Sequence, residues 1–267
     1  MGDQDYFRTE QEGRIVWLVL NRPEKRNTMD QGFLTGMAEL FSRFENDDDV
    51  RVIIIKAEGK SFCAGLDLAG SIDIIPKDPS PSQREIFRRW IMAMQECITS
   101  VERCRKPVIA AIHGHCVGGG IDLTSACDVR LASLDAVFSV RETRMAMIAD
   151  FGTLQRLPAI IGQGWFRELA LTGRDFSSEE AYRMGFITHL CEDRESLYAR
   201  ARSIAEEIAS CSAFAVQGTK EVIMFNRDNG IRAGLEYVAQ KNSAVLPNDD
   251  LEEAVRAFRE KRPPRFK

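Results

Sequence analysis

No stretch of this sequence approaches ~20 uninterrupted apolar residues, so nothing in it reads as a membrane-spanning helix. There is no CxxC pair and no histidine at zinc-finger spacing. The seven cysteines, at 63, 97, 104, 116, 127, 191 and 211, are an odd number. That pattern argues against a disulfide framework and for reduced thiols in or near a core. Histidine is scarce, three in 267 residues, and no GxSxG elbow is present, which leaves a Ser-His-Asp triad unsupported. His113 and His115 flank Gly114 in an apolar run without a cysteine or carboxylate at ligand spacing, so no metal is expected. Basic charge is not in excess: 36 Lys and Arg face 40 Asp and Glu, for a net charge of -4. With no basic, aromatic-interleaved stripe, nucleic acid is not an expected partner, and any phosphate binding must be local. The opening MGDQDYFRTEQEGR has neither an apolar signal region nor an Arg-rich transit pattern. Tyr6 stands where a myristoylation signal wants Ser or Thr, and the closing RFK is not a peroxisomal SKL. A cytoplasmic location is the expectation.

What is present is an ordinary globular composition, 44% hydrophobic and 28% charged, far from the signature of disorder and sufficient for a large core. One main domain is expected. GRIVWLVLN (13–21) is a β-branched run stopped by Asn-Arg-Pro and reads as a buried strand. Residues 30–46 place Phe33, Leu34, Met37, Leu40, Phe41 and Phe44 at helical spacing, and VRVIIIKA (50–57) is again a strand. Three prolines at 76, 79 and 81 predict a mobile loop over 72–82, leading into a helix over 83–104 with Ile86, Trp90, Met94, Ile98 and Val101 on one face. A strand at 106–114, a glycine run, a short helix at 122–126 and strands near 128–133 and 136–140 follow. Beyond Thr153 the pattern is helical, with SSEEAY (177–182) as a capped start and a tail over 194–262 broken near Ser210, Asn229 and Pro247.

Two loops carry candidate chemistry. In KSFCAGLDL (60–68) a strand delivers the chain into a turn where Gly65 tolerates unusual dihedrals and lets a ligand approach, freeing the Leu66 amide; ordinary scaffolding is the alternative reading. In AAIHGHCVGGGIDLTSACDVRLAS (110–133) three glycines separate an apolar strand from a helix start, where unpaired amides and a positive dipole end suit a developing oxyanion. Gly119 is the amide of choice there, and two amides from separate loops could form an oxyanion hole.

These blocks, together with FSVRE and the segments RPEKRNTM (22–29), LQRLP (154–158) and LTGRDFSSEEAYRMGFITHL (171–190), resemble the signature blocks of the enoyl-CoA hydratase/isomerase (crotonase) superfamily in family order. The resemblance implies an α/β fold, a spiral of ββα turns over 1–200 carrying CoA and the active site, and a C-terminal helical region over 201–267 used in trimerisation. It implies oxyanion amides at Leu66 and Gly119. It also implies a bent CoA held by Lys25, Arg26 and Asn27 and around Cys63, Ala64, Asp67 and Leu68, with no cofactor beyond the CoA of the acyl-CoA substrate. A homotrimer or a dimer of trimers is expected.

Within that family the pocket acids set the reaction. Hydratases carry a Glu two residues after the glycine run and another twenty positions on, jointly activating a water. Here those positions are Asp122 and Glu142, and the shorter Asp should spoil the shared grip on water. A third acid, Asp150 in ADFGTLQRLP, stands where hydratases usually have glycine. The trio resembles the Δ3,5-Δ2,4-dienoyl-CoA isomerases, whose chemistry removes a proton near the thioester and delivers one several carbons away. The resulting expectation is that Glu142 takes the C2 proton, Asp150 protonates C6, Leu66 and Gly119 hold the dienolate oxygen, and Asp122 is an accessory that tunes the other two. The blander readings are a helix cap for Asp150 near Gly152, a surface salt bridge from Glu142 to Arg141 or Arg144, and a structural hydrogen-bonding role for Asp128. A 2-enoyl-CoA hydratase, a Δ3-Δ2-enoyl-CoA isomerase and a non-catalytic acyl-CoA-binding protein are the rival functions. The Met-rich RMAMIA (144–149) is either an acyl-tunnel lining or core filler.

Overall fold

The computed structural model describes residues 6–71, 75–77 and 80–266. The loop expected over 72–82 therefore lies partly outside the described residues, at 72–74 and 78–79. The chain opens with a hairpin, β1 (Phe7–Glu12) and β2 (Ile15–Leu20), followed by helix α1 (Gln31–Glu45). The sequence reading gave only one strand here. FRTEQE is largely solvent-exposed at the sheet edge, buries only Phe7 and carries no apolar signal. Asp30 caps α1 by accepting from the Phe33 amide at 2.9 Å, and the spaced apolar residues of the helix are buried as expected.

Three ββα turns then repeat. The first is β3 (Val52–Ala57), β4 (Ser61–Cys63) and the helices α2 (Leu68–Ser71) and α3 (Pro81–Arg103). The second is β5 (Val108–Ile112), β6 (His115–Val117) and α4 (Gly119–Ser125). The third is β7 (Val129–Ser133), β8 (Val137–Ser139) and α5 (Thr153–Thr172), whose helical course is broken at Gly162. Each turn sends its first strand to a six-stranded sheet, order β1-β2-β3-β5-β7-β10, and its second to a four-stranded sheet, order β4-β6-β8-β9. Strands β9 (Asp175–Ser177) and β10 (His189–Cys191) complete the two sheets around α6 (Ser178–Arg183), which starts with a Ser177/Glu180 capping box.

The large sheet is parallel from β2 onward and covered on both faces, which is why its strands read as unbroken apolar runs. Strand alternation divides them. Leu18, Leu20, Ile53, Ile55 and Ala110 join α1 and α3 in the main core, whereas Trp17, Val52, Ile54, Ile109 and Leu131 pack on α7 (Arg194–Ala209) through Leu197, Ala201 and Ala205. Helix α7 spans the expected 200/201 boundary and belongs to the sheet packing. Beyond it, α8 (Ala213–Asn229), α9 (Ile231–Val245) and α10 (Asp249–Glu260) break close to the expected positions and bury few of their own side chains. Lys220 of α8 ties them back, its ammonium donating to Asp128 at 2.7 Å and to the Lys106 carbonyl. Asp128 also accepts from the Val108 amide, the structural role expected for it. No helix among the described residues is long and apolar enough to cross a membrane. All seven cysteines are free; five are buried, Cys191 is half-buried and Cys211 is exposed rather than core.

Candidate active site

Strands β4 and β6 are parallel neighbours, and each ends in a glycine turn on the same side of the small sheet. After β4, Gly65 adopts a φ of +89°, and a Cβ there would lie 2.8 Å from the Val117 carbonyl and 3.4 Å from the Gly119 nitrogen. Only glycine permits that approach. The Met29 amide donates to the Gly65 carbonyl, and the Asp67 amide donates to the Met29 carbonyl, so the Leu66 amide between them is left out of the pairing. After β6, Gly118 has a φ of +53°, and Gly119 opens α4, where the first amides have no helical acceptor. That start precedes the expected 122, because glycine supplies no propensity signal. Neither the Leu66 nor the Gly119 amide has an acceptor among the described residues.

Both amides border a cavity of about 830 Å³, and Asp122, Glu142 and Asp150 line it too. Asp122, in α4, is 2% exposed, and its Oδ1 accepts from the Thr153 amide at 2.7 Å. It is thus Asp122, 31 positions away in the chain, and not Asp150, that satisfies the first amide of α5. Burial foremost, then the charge of Glu142, pushes Asp122 up to about 7. Glu142 begins a short 3-10 turn after β8. Its carboxylate approaches the oxyanion loop so closely that a Cβ on Gly118 would sit 3.2 Å from Oε1. Its Oε2 is buried with no hydrogen-bond partner among the described residues, and desolvation, with Asp150 nearby, raises its pKa. The bland salt-bridge reading fails: Arg141 pairs with Asp175, and Arg144 donates to the Thr172 carbonyl. Desolvation likewise raises Asp150, whose carbonyl accepts from Gln95 at 2.7 Å.

The rest of the cavity wall is apolar. The 144–149 segment contributes Met145, Ala146, Met147 and Ile148, which resolves the open question about that patch in favour of a lining. Ala146 holds a left-handed φ of 56° there. Phe87 and Trp90 stack at 5.9 Å, Trp90 meets Phe151 edge-on, and all three line the cavity. The sequence reading placed Trp90 on a core face and passed over Phe87. The i, i+3 aromatic pair at the start of α3 was the available signal.

The residues expected to meet CoA divide into two groups. Ala64 and Leu68 line the cavity, and exposed Lys25 lies 3.8 Å from Asp67. Arg26 and Asn27 take left-handed backbone, and the Arg26 carbonyl accepts from the Ala64 amide, fixing the 22–28 loop beside the site. The Asn27 side chain turns inward, accepting from the Arg22 amide and donating to the Glu58 and Ser61 carbonyls. Cys63 is fully buried, its thiol pushed up to about 12 by desolvation. For these two, any ligand contact falls to the backbone. His113 is buried and bonded to the Gly59 carbonyl, while His115 faces solvent.

Two unpaired amides and three acids lining one cavity are the parts needed to stabilise and protonate an enolate. Residues 10–267 match the enoyl-CoA hydratase/isomerase family, and the chain belongs to that family. Among relatives, it is 44% identical over 266 residues to an Arabidopsis thaliana protein named Delta(3,5)-Delta(2,4)-dienoyl-CoA isomerase, peroxisomal, covering 98% of this chain and 96% of that one. It is 40% identical over 274 residues to the mitochondrial protein of the same name from Dictyostelium discoideum, covering 99% and 92%. A crystal structure of an enoyl-CoA hydratase from Bacillus anthracis superposes with a TM-score of 0.90 at 32% identity, covering 98% and 99%, which establishes the crotonase-like spiral.

Proposed function

We propose that this protein is an isomerase that converts 3,5-dienoyl-CoA to 2,4-dienoyl-CoA. The names of its relatives at 44% and 40% identity support the reading. The observation that carries it is the third acid, Asp150, facing the same cavity as Glu142 and the two unpaired amides. The Leu66 and Gly119 amides hold the thioester oxygen as negative charge develops on it. Glu142, with no competing partner for Oε2, removes a proton from C2. The electron pair shifts along the conjugated chain, and Asp150, its carboxyl pKa raised by desolvation, delivers a proton to C6.

Asp122 supports isomerisation over hydration. Its Oδ1 is engaged by the Thr153 amide, so the water grip that a hydratase needs is weakened, and its role is electrostatic. No cofactor is needed beyond the CoA of the substrate. We infer a homotrimer or a dimer of trimers, since Ile223, Ile231, Leu235 and Phe258 of α8–α10 are 64–84% exposed in the single chain. Light scattering tests that assembly. A cytoplasmic location remains part of the proposal, to be tested by cell fractionation against the peroxisomal and mitochondrial compartments in the relatives' names.

The deciding experiment mixes the protein with a 3,5-dienoyl-CoA and, separately, a 2-enoyl-CoA. Growth of the ultraviolet band of the conjugated 2,4-dienoyl thioester with little loss of the enoyl band is the expected result. Rapid hydration with an inert diene would replace this reading with the hydratase one, and CoA binding without turnover of either would replace it with a non-catalytic one.

A further inference from the structure

Asp150 and Phe151 line two cavities at once. One is the active-site cavity. The other, about 330 Å³, is walled mainly by Gln95, Thr99, Glu102, Gln155 and Arg156, and its chemistry is the opposite of the first. Gln95 donates to the Asp150 carbonyl at 2.7 Å. Arg156 donates to the Phe151 carbonyl at 3.3 Å and to the Thr99 hydroxyl at 3.1 Å, and its Nε lies 3.2 Å from Glu102. The guanidinium packs so closely on Gly152 that a Cβ there would clash with it at 1.7 Å. Arg227 and Asp228, 40% and 59% exposed in the single chain, stand at the mouth of this cavity.

The proposed reaction, on which this inference rests, leaves a proton imbalance. In each turnover a C2–H bond breaks and a C6–H bond forms, with no net redox change. Glu142 ends protonated and Asp150 ends ionised, so Asp150 must regain a proton and Glu142 must lose one before the next cycle. No hydrogen bond among the described residues links the two carboxyls, and Glu142 Oε2 has no partner to hand a proton to. An acyl chain in the front cavity excludes water from that side. The rear cavity, at about 330 Å³ and lined largely by polar side chains, has room for several waters.

We propose that the rear cavity is the proton port of the enzyme: water entering past Arg227 and Asp228 returns a proton to Asp150 while the front cavity is occupied. Gln95 and Arg156 are positioning residues that hold the 150–152 backbone between the two cavities.

The test uses a 3,5-dienoyl-CoA deuterated at C2, in ordinary water. Through the port, the product carries protium at C6, and Glu142 releases the deuteron taken from C2 to solvent once the product leaves the front cavity. Gln155→Trp, at an exposed position, narrows the port without touching the active-site cavity. It is expected to lower steady-state turnover about tenfold, since proton delivery becomes limiting, to leave the first turnover unchanged, and to raise the deuterium found at C6. Thr99→Leu, which adds an apolar group to the wall, is the second variant and should act in the same direction. Deuterium carried from C2 to C6 by the unaltered protein would overturn the port alone, as would unchanged steady-state turnover in both variants. No turnover of the dienoyl thioester at all would overturn the reading of function and the port with it.

Discussion

Across the active-site cavity, the wall that presents amides is made of backbone, and the wall that presents acids is made of side chains. Gly65, Gly118 and Gly119 shape the first by the absence of side chains, and their geometry is locked to β4, β6 and Met29. Asp122, Glu142 and Asp150 make the second from three separate segments, each carboxyl raised in pKa by its surroundings. The amide wall carries no titratable group, so it acts alike at any pH and cannot be altered without moving the chain. The acid wall depends on pH and can be rewritten one residue at a time.

The sharpest break between the walls is Asp150→Asn. Dienoyl isomerisation should fall about a thousandfold, within the usual range for loss of a general acid, while acyl-CoA affinity, measured by titration calorimetry, stays near that of the parent because the amide wall is intact. Retained isomerase activity would remove Asp150 from the chemistry. Gly65→Ala attacks the other wall. The strained φ and the contact with the Val117 carbonyl should shift the Leu66 amide and lower kcat about a hundredfold. The pH profile should keep its shape, because no titrating group has changed; a displaced profile would show that the walls are not separable.

Asp122→Asn sharpens the electrostatic side. A carboxyl at about 7 in the folded chain and near 3.9 when unfolded holds extra protons in the folded state between those values. The native protein should therefore lose stability as pH rises through that window and level off above it. The variant, with an amide oxygen still able to accept from Thr153, should lack that fall, a difference of order a few kcal/mol in denaturant unfolding between pH 4 and 8. Parallel pH curves for the two proteins would refute the assignment. The smallest effect belongs to neither wall: Trp90→Ala, which removes the stack with Phe87 and the edge contact with Phe151, should raise KM several-fold with kcat nearly unchanged.

What could be read in advance follows the same division. The strands and helices of the spiral were legible because their signals are local: unbroken apolar runs for covered parallel strands, 3.6-residue spacing for α1, and prolines or glycines at the breaks. The glycine turns after β4 and β6 were legible as places of close backbone approach, which the positive φ at Gly65 and Gly118 bears out. Strand β1 was not, since FRTEQE pairs through its backbone at the sheet edge and buries only Phe7. Nor was the capping of α5, for which sequence proximity offered Asp150 only as an alternative reading and which the fold gives to Asp122. The Gln95 and Arg156 contacts behind Asp150 were also missed. Gln95 lies 55 positions from its partner carbonyl, and no local pattern signals a contact that the third turn of the spiral creates.

The adjacency of β4 and β6 has one more effect. Neighbouring strands in any sheet run about 4.8 Å apart, and two amide nitrogens at that spacing can both reach a single oxygen placed between them at ordinary hydrogen-bond length. The small sheet thus acts as a ruler. It brings the two glycine turns out side by side at a spacing common to all sheets, so the register of the donors rests on backbone pairing and not on the side chains around them.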